Sequence, residues 1–103
     1  MSSSSGEGFY GARYSQYAWM LKEEMKASTE TYKRIEALQK GMSDADDLVR
    51  VALERGDNEA VRRGEALKEL IQNEKRPLFA LLNAQLDNIE RLRAGVARET
   101  WGF

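Results

Sequence analysis

Asp44, Asp46 and Asp47, with the adjacent pair Glu23 and Glu24, are the side chains of this chain that come nearest to an acid–base constellation. Two carboxylates do such work when an apolar pocket raises the pKa of one while the other stays ionised. Neighbours in sequence point apart on a helix, however, and the aspartates read better as charges at the positive end of a helix dipole. Asp44-x-Asp46-Asp47 also lacks the Gly and the terminal Glu of a calcium loop, and no Glu-x-x-His motif is present to build a two-metal bundle. The 103 residues include no Cys and no His. That removes the thiol nucleophile, the imidazole base and the commonest metal ligands together. The sequence therefore predicts no catalytic residue, no cofactor and no metal, and the chain reads as non-enzymatic.

Charge narrows the partners. Sixteen Lys and Arg against 17 Asp and Glu leave a formal charge of -1, too little to grip a nucleic-acid backbone or an anionic membrane. The basic residues Arg62, Arg63, Lys75, Arg76, Arg91, Arg93 and Arg98 are interleaved with acids rather than gathered into a stripe. One local imbalance stands out over residues 43–57, where Asp44, Asp46, Asp47, Glu54 and Asp57 face only Arg50 and Arg55, a net of -3. The longest apolar run, near Leu78 to Leu82, is far short of the roughly 20 residues that cross a bilayer. Met1 to Gly8 carries no basic and apolar leader pattern, so a cytoplasmic location is expected.

Positioning elements follow from periodicity. Residues 1–12, with four consecutive Ser and Gly6, Gly8 and Gly11, have the composition of a mobile tail. From residue 13 to 99 the pattern is that of a single all-helical domain, and 100–103 form an aromatic end. Ala18, Leu21, Met25, Ser28, Tyr32, Ile35, Gln39 and Met42 recur at alternating steps of three and four, a heptad seam. Val61, Gly64, Leu67, Ile71, Glu74, Leu78, Leu82, Gln85, Ile89, Leu92 and Val96 repeat it. Between the two runs, Gly56 suits the left-handed residue that ends a helix and Asp57 the cap of the next. The fold class expected is all-α: an antiparallel helical hairpin or small helical bundle, reversing near Gly56-Asp57. Candidate breaks lie at Gly41, where a kinked continuation is preferred although Ser43 and Asp46 resemble a capping box, and at Pro77, whose missing N–H disturbs a helix interior.

A single two-helix seam buries little per residue, so the missing wall is expected from a four-helix fold-back or from a second chain. Candidate partner-binding residues are Tyr14, Tyr17, Met25, Leu78, Phe79, Leu82, Trp101 and Phe103. The aromatics Phe9, Tyr10, Tyr14, Tyr17, Trp19, Trp101 and Phe103 gather at both ends of the chain, either as a capping mini-core or as a docking patch. Asp47 to Ile71, with Leu48-Val49-x-x-Ala52-x-x-x-Gly56-Asp57 followed by Ala60, Leu67 and Ile71, resembles the small flagellar and type III export chaperones. That resemblance implies a helical bundle that holds export substrates. The hairpin layout also resembles the small exported hairpins of the ESX pathway, except that the turn reads Arg55-Gly56-Asp57 in place of Trp-x-Gly. The expected function is an adaptor or export-chaperone-like protein binding a partner helix along its seam. The alternative is a self-assembling structural subunit, a homo-oligomer.

Overall fold

In the computed structural model, which describes the backbone of residues 2–101 and side chains from 16 to 100, the chain is an all-α helical hairpin. Helix α1 is Ser2–Arg55 and helix α2 is Asn58–Trp101, with no strand among the described residues. As bounded, α1 takes in residues 2–12, the stretch whose composition reads as a tail. The side chains of Tyr14 and Trp101, and Phe103 altogether, lie outside the described residues.

The reversal falls where local chemistry demands it. Gly56 takes φ 70, a conformation open to glycine at no steric cost. Its N–H donates to the Leu53 carbonyl at 3.1 Å, and the Asp57 N–H donates to the Ala52 carbonyl at 2.9 Å. These two bonds are those of a Schellman motif, which satisfies carbonyls that the end of α1 would leave open. The Asp57 carboxylate then accepts from the Ala60 N–H at 3.1 Å, capping α2. Asp57→Ala is expected to cost about 1 kcal/mol of stability, read as a lower midpoint in thermal unfolding by circular dichroism; an unchanged midpoint would mean that the cap is idle.

Neither candidate break divides a helix. α1 runs through Gly41, and Ser43 and Asp46 cap nothing. Gly41 instead lets α2 approach: a Cβ there would stand 3.4 Å from Ile71 Cδ1. α2 runs through Pro77. Proline forfeits one backbone bond, to the carbonyl four residues back, but Pro77 and Asn73 are both exposed, so water can serve that carbonyl. Ile71 and Leu78 remain buried on either side, and continuous packing outweighs the local loss.

Packing resolves into two units. In the unit Glu30–Leu82, Ile35, Ala45, Val49 and Ala52 of α1 are buried with Ile71 and Leu78 of α2, and Thr31 is buried beside them. The arms are antiparallel, with Gly41 against Ile71 and Val49 against Gly64. A Cβ on Gly64 would overlap Val49 Cγ2, so glycine is what admits the close approach. In the unit Met1–Thr29 with Asn83–Phe103, Ile89 and Gln85 are buried. Tyr17 lies over Gly95, where a Cβ would be 2.8 Å from the ring. One heptad along α1 and one heptad back along α2, Asn88 Nδ2 donates to Glu24 Oε2 at 3.3 Å.

The seam differs in phase from the expected one. Leu21, Ser28, Ile35 and Met42 keep their places, but Met25, Tyr32 and Gln39 are exposed, and Glu24, Thr31 and Leu38 face inward in their stead. On α2, Lys68 and Lys75 replace Leu67 and Glu74. Both alternatives fit a three-four alternation. The closeness of the two backbones selects the smaller side chain, Thr31 at 4% exposure over Tyr32 at 54%.

Candidate functional site

The aspartates and glutamates with the nearest approach to an acid–base set do not converge. Asp44 pairs with Lys40 at 3.6 Å, Asp47 with Arg50 at 3.3 Å and Glu23 with Lys26 at 3.8 Å. Each of these is an exposed bridge within one helix, of the kind that contributes little to stability. Asp46 reaches across the hairpin to Lys68 at 2.8 Å. Hydrogen bonding to Asp46 holds the Lys68 ammonium above its ordinary pKa, against a smaller opposing effect of desolvation. Among the described residues, no group of three or more His, Cys, Asp or Glu is placed to hold a metal ion.

Several large apolar side chains stand in water. Leu48 is 60% exposed, Leu53 and Leu70 62%, and Trp19 61%. Among the described residues, the apolar core between the arms holds nothing larger than Ile or Leu, and Ala45 and Ala52 are part of it. The larger apolar side chains Trp19, Leu48, Leu53 and Leu70 thus lie outside the buried set, which mixes Ile and Leu with Val and Ala.

The chain matches no family model, no curated protein and no solved structure. Its surface therefore has to be read from its own residues.

The expected docking residues scatter. Tyr17 is 38% exposed over Gly95. Met25 lines a groove with Leu86, Ile89 and Arg93. Leu78 is buried in the seam, Leu82 is half-buried, and Phe79 is exposed with the Lys75 ammonium 5.8 Å from its ring centroid, a cation–π distance. Trp19 projects into solvent, so it takes no part in a capping mini-core; Phe9, Tyr10, Tyr14, Trp101 and Phe103 fall outside the residues with described side chains.

Sequence reasoning missed a second set, within the unit Glu30–Leu82. Arg34, Gly41 and Leu48 repeat at heptad spacing on α1, and Leu67, Glu74 and Leu81 repeat at the same spacing on α2. One residue of each column, Arg34 and Glu74, lines a groove with Ala37, Leu38, Asn73, Pro77 and Leu78. Leu70, three residues beyond Leu67, is exposed as well. The signal was present as two heptad columns flanking the seam, hidden because the seam itself was assigned the apolar positions.

Proposed function

We propose that this chain is a non-enzymatic helical interaction protein, an adaptor or export-chaperone-like module that shelters an amphipathic helix of another chain. The observation that carries the reading is the placement of Leu48, Leu67, Leu70 and Leu81 in water while Ala45, Ala52 and Gly64 occupy the seam. The docking surface on this reading is the flank of the hairpin and not its seam, since the seam is filled by the chain's own second arm. Leu67, Leu70 and Leu81, at steps of three and eleven along α2, are exposed apolar side chains of the kind that receive the anchors of an amphipathic helix. A net charge of -1 favours a protein over a nucleic acid, and no described helix is long and apolar enough to cross a membrane.

The second reading, a self-assembling structural subunit, uses the same flank. It is favoured by the mixture of both charge signs beside one groove, Arg34 and Glu74.

A photo-crosslinking residue at position 70 tests the docking surface, with one at Arg62 as a control on the polar face. Crosslinking in the native cell at 70 and not at 62 is expected. Equal yields at both positions, or none at either, would remove the flank from consideration.

A further inference from the structure

We infer that the open end of the hairpin is a clasp: the unit Met1–Thr29 with Asn83–Phe103 opens and recloses as a cooperative body of its own while the unit Glu30–Leu82 stays shut. The inference concerns the seam, and it stands whether or not the flank is a docking surface. Three observations carry it.

The first is how burial is shared out. Of the seven buried apolar side chains among the described residues, six, from Ile35 to Leu78 in chain order, lie in the unit Glu30–Leu82, and Ile89 alone lies at the open end. Leu21, Leu92 and Val96 reach only half-burial. Closure is driven by apolar area removed from water, so the open end is held by the smaller force.

The second is the polar chemistry of the seam at that end. Glu24 and Asn88 meet across the arms at 3.3 Å, a half-buried carboxylate against a neutral amide. Four residues on along α1 and three back along α2, the same register brings Ser28 level with Gln85. Gln85 is buried and its Oε1 has no hydrogen-bond partner among the described residues. Ser28 does not supply one, because its hydroxyl donates to the Met25 carbonyl at 2.9 Å. Glu99 Oε1 is a second buried acceptor in the same state. Water reaches these oxygens once the arms part, so opening returns hydrogen bonds that closure withholds. In the unit Glu30–Leu82 no described side chain leaves a buried polar atom unpaired, and Asp46 and Lys68 tie the arms together at 2.8 Å.

The third is where the arms can bend. Ser28 and Thr29, the last residues of α1 in the open unit, both turn their hydroxyls back to the Met25 carbonyl, each at 2.9 Å. Such back-bonding competes with the helix ladder and bends helices. On α2, Pro77 omits one ladder bond five residues before Leu82. A parted arm is a lone helix, marginal in water without the packing of its partner, so its amides exchange with solvent when the clasp opens.

Amide hydrogen exchange of the full chain, measured at a series of denaturant concentrations below the unfolding transition, tests the clasp. Amides of residues 18–28 and 84–98 are expected to share one level of protection, at least about tenfold below that of residues 66–76, with a denaturant dependence of its own that reports surface exposed on opening. Fraying would instead grade steadily inward from the helix ends without that dependence, and a hairpin that unfolds all at once would protect both stretches equally. Either profile overturns the clasp. Val49→Ala, inside the closed unit, is expected to lower protection over 66–76 by about tenfold and to leave 84–98 as in the wild type, because the clasp opens without disturbing position 49. Loss in both stretches would mean one cooperative hairpin and no clasp. Gln85→Leu is expected to raise protection over 84–98 by about tenfold; no gain there would remove the unpaired seam oxygen as the cause of opening and the inference with it.

Discussion

Gly64→Leu is expected to lower the midpoint of thermal unfolding by roughly 5–15 °C. A Cβ at this position already overlaps Val49 Cγ2, and valine, branched at Cβ, has no rotamer in which to retreat. The arms must separate, and the buried contacts of Ala45, Val49 and Ala52 loosen with them. Overpacking of this kind costs about 1–3 kcal/mol, and in a domain of this size each kcal/mol shifts the midpoint by about 4–8 °C. Leucine is a better helix former than glycine by somewhat under 1 kcal/mol, so the clash must exceed that gain to show. Val49→Ala in the same background should recover part of the loss, since residues in contact couple by about 0.5–3 kcal/mol. A Gly64→Leu variant melting at or above the wild type would show that the arms are not in close contact there.

Gln85→Leu should move the midpoint the other way. Gln85 is 8% exposed, and its Oε1 has no hydrogen-bond partner among the described residues. A buried polar atom left unpaired costs about 1–3 kcal/mol, and replacing it with an apolar group of similar shape removes that cost. Leucine at a seam position, one heptad from Leu78 and one from Leu92, also adds apolar burial. An increase of about 5–15 °C is expected, measured by circular dichroism on the full chain. A decrease would mean that Gln85 bonds in solution to a group from elsewhere, and would redirect attention from the flank to the seam.

The two variants separate what sequence could and could not disclose. The turn was legible because its causes are local: Gly56 supplies the left-handed backbone and Asp57 a short acceptor three residues before the Ala60 N–H. The all-helical class was legible from the three-four repeat. The phase of that repeat was not, because Tyr32 outranks Thr31 in apolarity while the opposite arm decides between them by the room it leaves. Lys68 and Lys75 were passed over on the same ground, although a long aliphatic stem can line a seam and still present its charge to water. At Gly41 the preferred reading, a continuing helix, agrees with α1, whereas the alternative of two helices at Pro77 rests on intrinsic preference alone, which packing on both sides overrides.

The exposed leucines were harder to see for a related reason. Leu78, Phe79 and Leu82 drew notice as a cluster in sequence, but Leu78 belongs to the core and only Phe79 is exposed. Leu48, Leu67, Leu70 and Leu81 are dispersed along the chain, and their exposure follows only from the phase of the seam. Until the phase of the seam is settled, no rule of spacing tells a flanking leucine from a core one.

The Schellman turn has a topological consequence. The seam contacts join α1 to α2, and none specifies that both helices come from the same molecule. Without the left-handed step at Gly56, Arg55 and Asn58 have nothing to keep their helices apart, and the two arms can run on as one. The seam would then close only by exchange of arms between two molecules. Replacing Gly56 and Asp57 together by Ala is accordingly expected to give an arm-exchanged dimer that does not dissociate on dilution; a freely dissociating species would show that the seam alone can enforce closure. A single glycine carries the choice between intramolecular closure and entanglement.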